Sequence, residues 1–280
     1  MTPAVVGICM VKDEADVIVH TLRHMAEEGL DAIFVIDNGS RDGTRQALTH
    51  TVAVYADTWQ IPAELFQLEV TDDPDPAYYQ SAKMSALADR VGQEFGIGTW
   101  IVPFDADELW LARDRVAMVL QGLPRTTRVA RASLFNHFCT LLDREDSNPF
   151  LAMQWRQAVR AGLPKVAFRW EPGAVIHQGN HGVTLPTQLV PDSADTLEIR
   201  HFPYRSANQM VRKARNGAAA YRATSLPESE GAHWRAYGRI IDEHGEEALR
   251  EVFREHFWYR SPTDSGMVLD PAPWCRWSRS

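Results

Sequence analysis

Three carboxylates stand within four positions in Asp105-Ala106-Asp107-Glu108, directly behind the apolar run Trp100-Ile101-Val102-Pro103-Phe104. Such a run suits a strand buried on both faces, and in an α/β sheet the carboxyl end of that strand opens onto the ligand crevice. Residues two apart in extended backbone project to the same side, so Asp105 and Asp107 would face one way and Glu108 the other unless the chain bends. Two like charges held that close call for a cation between them or a proton on one. Oxygen ligands select a hard divalent ion, Mg²⁺ or Mn²⁺, with positions left for water or a substrate phosphate. A polar turn closing a strand would use the same residues, and a D-x-D tripeptide alone is too short to decide.

The elements that must position these residues alternate in kind. Residues 4–11 are a short apolar strand run ending at Lys12-Asp13-Glu14, with Asp13 placed to cap the next helix. Val17, Ile18, Leu22 and Met25 recur at helical spacing, and Gly29 stops that helix. Residues 32–36 read as a second strand, closed by the turn signal Asp37-Asn38-Gly39-Ser40-Arg41-Asp42-Gly43. A short helix over 44–50 and a third strand over 52–56 complete a β-α-β-α-β order, which implies a parallel sheet with right-handed crossovers. Residues 57–76 read as loop, 77–95 as a helix, 113–120 as another, and 128–138 as a longer strand. The signal weakens over 143–164. Strands follow over 165–170 and 174–178, joined by Glu171-Pro172-Gly173, and again over 197–202. Helices are expected over 206–221, 232–244 and 246–258, then a loosely packed tail with Pro262, Pro273, Trp274 and Trp277.

Length and composition narrow the class. The 280 residues can bury a large core as one domain or one with an appended subdomain. A net charge of −8 with scattered Lys and Arg offers no nucleic-acid footprint. Cys9, Cys139 and Cys275 are odd in number and far apart, which fits a reducing compartment rather than a disulfide framework. The N-terminus lacks a signal-peptide pattern, and no stretch approaches the roughly 20 apolar residues of a membrane span. These features read as a cytoplasmic protein, peripheral at the inner membrane face at most.

The order of the motifs is more specific than any one of them. A strand runs into Val11-Lys12-Asp13-Glu14, a second into Asp37-Asn38-Gly39-Ser40-Arg41-Asp42-Gly43-Thr44, a helix carries Lys83, and a strand delivers Phe104-Asp105-Ala106-Asp107-Glu108. Over residues 4–112, and more weakly to 222, this resembles the family 2 glycosyltransferases of the GT-A fold, in particular their bacterial branch with a D-x-D-E motif. The resemblance implies an α/β fold with a Rossmann-like, mostly parallel sheet flanked by helices. It implies a donor-binding half over 1–125, an acceptor and metal-completing half of the same domain over 126–222, and C-terminal helices and tail over 223–280. It also implies an inverting, Mn²⁺- or Mg²⁺-dependent hexosyl transfer from a UDP- or GDP-sugar to a glycan, lipid-linked or small-molecule acceptor. Val11, Glu14, Asp37, Asn38 and Lys83 would line the nucleotide pocket. Asp105 would contact ribose or metal, Ala106 would lie with it, and Asp107 would be the firmer metal ligand. Each has a plainer reading as well: Asp37 as a turn residue, Glu14 as a first-turn acid, Lys83 as a solvated helix lysine.

Inverting transfer needs a general base, and several residues compete for that role. Glu108 follows the metal motif, Asp143, Glu145 and Asp146 lie past the strand over 128–138, and His177 and His181 flank a Gly-Asn loop. His137 sits among aromatics and reads as a core histidine. His201, at a strand end before a basic helix, resembles the late histidine with which many GT-A enzymes complete the metal shell. Arg205, Arg212, Lys213 and Arg215 surround the start of the helix behind Ser206, where an anion or solvent would suit them. A different acidic metal enzyme, transferring phosphoryl or nucleotidyl groups, remains open, as does a catalytically inactive sugar- or nucleotide-binding module. No Q-x-x-R-W motif of a processive synthase is present.

Overall fold

A computed structural model describes residues 2–187 and 193–271. Eight strands form one curled sheet. The first four alternate with helices: β1 (Val5–Val11), α1 (Ile18–Glu27), β2 (Ala32–Asp37), α2 (Thr44–Trp59), β3 (Gln67–Asp72), α3 (Gln80–Phe95) and β4 (Trp100–Pro103). The chain continues through β5 (Glu108–Leu111), α4 (Val116–Gly122), β6 (Val129–Asn136), β7 (Cys139–Thr140), α5 (Pro149–Ala152), β8 (Trp155–Gln157) and β9 (Lys165–Arg169). A small hairpin of β10 (Val175–Ile176) and β11 (Val183–Thr184) precedes β12 (Ser193–His201). Helices α6 (Ala207–Arg222) and α7 (Ala232–His256) and the short strands β13 (Trp258–Tyr259) and β14 (Met267–Leu269) follow.

The sheet order is β3-β2-β1-β4-β9-β6-β12-β5. Strands β1 to β4 are mutually parallel, β9 runs against β4 and β6, and β12 is parallel to β6 with β5 reversed beside it. The two reversals across β9 restore direction, so β6 and β12 end at the same sheet edge as β1, β2 and β4, while β9 and β5 begin there. Seven chain positions thereby meet at one edge: Val11, Asp37, Pro103, Glu108, Asn136, Lys165 and His201. In a parallel sheet this carboxyl edge is where ligands bind. Apolar side chains fill both faces, with Val5, Leu22, Val102 and Trp110 on one and Ile8, Phe34, Ile101 and Phe168 on the other. A separate core holds α6 against α7 and the tail through Tyr204, Met210, Leu249 and Phe253.

The fold departs from the sequence expectations in definite places. Residues 52–56 are the middle of α2, not a strand. Leu48, Thr51 and Trp59 recur on its buried side, and the β-branched Val52 is exposed. The third parallel strand is instead β3, within the stretch expected as loop; its Leu68 packs inward from a sheet edge otherwise rich in polar residues. Asp13 does not cap α1. It has φ of 55°, and its carboxylate accepts from the Arg41 amide (2.6 Å) and Asn216 Nδ2 (2.7 Å). The pair of C-terminal helices is a single element broken at Gly245, whose φ of 82° and ψ of 171° leave helical geometry. Part of the expected loose tail is ordered, because β14 pairs with β8. Pro273, Trp274, Cys275 and Trp277 lie outside the described residues. Cys9 and Cys139 are free thiols, and no helix among the described residues is long and apolar enough to cross a membrane.

Candidate functional site

The shared sheet edge opens into a cavity of about 520 Å³. Val11, Lys12 and Glu14 behind β1 and residues 105–108 behind β4 line it, as do Lys165 at the start of β9 and His201 at the end of β12. Helix α6 roofs it with Lys213, Asn216, Gly217, Ala220 and Tyr221, a spacing of three, four, seven and eight that marks one helical face. His233 and Trp234 from the start of α7 complete the roof.

The D-x-D segment is not extended. Strand β4 stops at Pro103 and the chain turns, with the Glu108 amide donating to the Asp105 carbonyl (3.1 Å) and the Phe202 amide to the Asp107 carbonyl (3.0 Å). The turn sends the two aspartates to different partners. Asp105 accepts from Lys165 Nζ (2.7 Å) and Asn180 Nδ2 (3.1 Å). Asp107 is paired with Lys213 and has Arg205 Nη1 and His201 Nε2 each 3.7 Å away. Glu108 does not turn away. It is fully buried, accepts from the Asp105 amide (3.1 Å) and Trp110 Nε1 (3.4 Å), and pairs with Lys165 at 2.9 Å.

Charge and burial set the protonation of this cluster. Burial opposes ionisation of Asp107, but Lys213, His201 and Arg205 together hold its carboxyl well below the usual range. Burial pushes Glu108 up to about 7, with Lys165 pulling against it. His201 is brought down to about 4, by burial first. Its Nδ1 donates to Asn136 Oδ1 (2.8 Å), and Asn136 is oriented in turn by Gln157 (3.2 Å). The neutral ring therefore keeps the Nε2 lone pair on the side of Asp107.

Glu14 belongs to the same network. It pairs with Arg205 and with Lys213 at 3.0 Å, and Arg205 continues to Asp16 at 2.7 Å. Arg205 is thus a buried cation between the β1–α1 loop and the floor, outside the cavity wall itself. Asn38 reaches the wall, while Asp37 is buried behind it and accepts from the Ser40 amide (3.0 Å). Lys83 lies outside the wall, paired with Asp73 at 2.6 Å and Asp75 at 3.4 Å. Asp143 closes a turn by accepting from the Thr140 amide (2.9 Å) and hydroxyl (2.7 Å). Glu145 is exposed, and neither Asp143 nor Glu145 lines the cavity. Of the loop histidines, His177 bonds Thr184 (2.9 Å) and lies outside the wall, whereas His181 lines it. His181 Nδ1 donates to the Pro164 carbonyl (2.9 Å), and burial followed by the nearby Lys165 lowers its pKa.

Among the described residues no group of three or more His, Cys, Asp or Glu is arranged to hold an ion. What the floor offers is a two-residue set, Asp107 and His201, a hard carboxylate and a borderline imidazole that suit Mn²⁺ better than Mg²⁺ when water and phosphate complete the shell.

Sequence reading does not single out Lys165, Asn180 or Trp234, or Tyr78, which lines the cavity as well. Lys165 opens a strand whose next three residues are apolar, and a buried lysine there must have a buried partner. That oddity was the available signal for it; the other three gain their meaning only from the topology. No protein-family model matches the sequence, and no curated protein matches it.

Proposed function

We propose that this protein transfers a glycosyl group, with inversion, from a nucleoside-diphosphate sugar to an acceptor hydroxyl. One observation carries the reading: the carboxyl ends of β1, β2 and β4 and the D-x-D turn meet in a single roofed cavity whose floor is a paired charge cluster. The cavity has the volume for a nucleotide-sized ligand, and the α/β sheet with helices around it is compatible with the resemblance to GT-A family 2 enzymes. A Mn²⁺ or Mg²⁺ ion would be held by Asp107 and His201 and would neutralise charge on the departing diphosphate. Lys213, on the roof and paired with Asp107 and Glu14, adds a cation above the same point. Val11, Glu14 and Asn38 border the nucleotide end. Asp105, at 33% exposure the most open carboxylate of the Asp105-Ala106-Asp107-Glu108 turn, accepts hydroxyl hydrogen bonds from the donor.

His181 is the general base that the geometry favours. Its ring borders the cavity, its Nδ1–H is fixed on Pro164, and its lowered pKa leaves Nε2 free of a proton at neutral pH. Glu108 is held by three donors and fully buried, which suits a scaffold better than a group that must reach a substrate. The test is release of nucleoside diphosphate from a panel of UDP- and GDP-sugars with Mn²⁺. Turnover of one donor by wild type, lost in Asp107→Asn, supports the reading. Tight nucleotide binding without turnover, with and without acceptor, would leave a binding module instead.

A further inference from the structure

The loop between β10 and β11 is built around one residue that the proposed chemistry does not use. Asn180 is fully buried and takes a left-handed φ of 59°, directly after Gly179 at 72°. The turn is held from several sides. The Gly179 amide donates to Gln80 Oε1 (2.8 Å), Gln178 Nε2 donates to Tyr221 (3.0 Å), and the His177 amide donates to the Gly182 carbonyl (2.9 Å). Two glycines of the loop, Gly179 and Gly182, lie against the histidine rings. A Cβ at Gly179 would meet the His181 ring at 2.7 Å, and one at Gly182 would meet His177 at 2.6 Å. Asparagine is among the few residues besides glycine that tolerate this backbone, so the turn can present its amide in a fixed direction.

That side chain reaches Asp105. Asn180 Nδ2 donates to one carboxylate oxygen at 3.1 Å, and Lys165 Nζ donates to the other at 2.7 Å. Lys165 in turn joins Asp105 to the buried Glu108. Asn180 Oδ1 is buried with no hydrogen-bond partner, so the amide is spent on this single donation. An unmet buried acceptor is costly, and a purely structural site would be expected to satisfy it.

We infer that Asn180 and Lys165 are positioning residues that brace the Asp105 carboxylate from two sides and fix its direction into the cavity. The functional part of this inference rests on the glycosyltransfer reading, in which Asp105 orients the donor. The brace itself stands on contacts alone. A carboxylate at the end of a turn has two free torsions, and two opposed donors remove both. Orientation of a bound donor is then set before reaction, which acts on turnover more than on affinity.

The test is a double-mutant cycle on the full chain: wild type, Asn180→Gly, Asp105→Ala and the double variant. Glycine accepts the left-handed backbone, and Asp105→Ala leaves Lys165 paired with Glu108, so each variant keeps a route to folding. Thermal unfolding reads the brace, because contacting residues fail additivity where distant ones do not. The double variant should show a Tm loss smaller than the sum of the two single losses by at least about 2 °C. With the UDP- or GDP-sugar that wild type hydrolyses, Asn180→Gly should lower kcat about tenfold while KM stays within threefold. The double variant should be no slower than Asp105→Ala. Additive Tm losses, or an Asn180→Gly enzyme with unchanged kcat, overturn the inference. If wild type hydrolyses none of these donors, the glycosyltransfer reading falls, and the thermal cycle alone decides whether the brace exists.

Discussion

Replacing the His181 imidazole by alanine should cost about two to three orders of magnitude in kcat, the usual contribution of a positioned base. Asp143→Asn and Glu145→Gln should change it less than about twofold, since a group outside hydrogen-bond reach of substrate contributes no such term. Steady-state kinetics on the three variants separates the candidates; a loss in Asp143→Asn comparable to that in His181→Ala would move the base. A second residue reports on stability. His137 is buried against Phe202 in a stack with centroids 4.3 Å apart, its Nδ1 donating to the Met153 carbonyl (2.9 Å), and burial brings its pKa down to about 3. An unfolded histidine titrates near 6.5, so below that pH the unfolded state takes a proton that the native ring refuses. Stability should therefore fall as pH drops from about 6.5 towards 3. His137→Leu should flatten that slope while lowering stability at pH 7; equal slopes in chemical denaturation would refute it. His137 was legible in the sequence as a core histidine because aromatics flank it. Asp105 and Asp107 were legible as the centre of the site, but their separate partners were not, since the turn after Pro103 and the long-range lysines lie beyond any local pattern.

At the scale of elements, the helix pair above the cavity is held by small residues. A Cβ at Gly217 would meet the Trp234 ring at 2.8 Å, and one at Gly238 would meet Ala218 at 2.5 Å. Gly217→Val should destabilise by about 1–3 kcal/mol, as overpacking does, and should also weaken donor binding, because Trp234 lines the roof it displaces. Gly122→Ala meets no atom within 4 Å and should be neutral or slightly stabilising in thermal unfolding. An equal effect of the two substitutions would contradict the packing described. The parallel β1, β2 and β4 strands and the helices α1, α3 and α6 follow from hydrophobic spacing that the sequence displays openly. The edge strand β3 does not, because only Leu68 in Gln67–Asp72 is fully buried and the rest is polar enough to read as loop. The reverse error at residues 52–56 has the same origin: Val52 and Val54 carry strand propensity, and the helical period of Leu48, Thr51 and Trp59 overrides it.

For the molecule as a whole, two sheet reversals around β9 and a third between β12 and β5 bring the starts of β5 and β9 and the ends of β1, β2, β4, β6 and β12 to one rim, and α6 closes it. Pattern reading anticipated the α/β class and the meeting of β1, β2 and β4 at the rim, but not β3 beside them. It could not anticipate that residues from 165 to 234 supply the lysines, the asparagine and the aromatic roof, because those meetings are set by topology. The charge cluster makes the central claim accessible to one experiment. Removing Asp107 leaves Lys213 with Glu14 and leaves Arg205 with Glu14 and Asp16, so no buried cation is stranded and the chain should still fold. Calorimetric titration of UDP and of GDP, each with and without Mn²⁺, into wild type and Asp107→Ala is the decisive measurement. The proposed donor site requires that one nucleotide bind wild type only with the metal and that folded Asp107→Ala lose it. Binding of neither nucleotide under any condition, or binding indifferent to both metal and substitution, would contradict it.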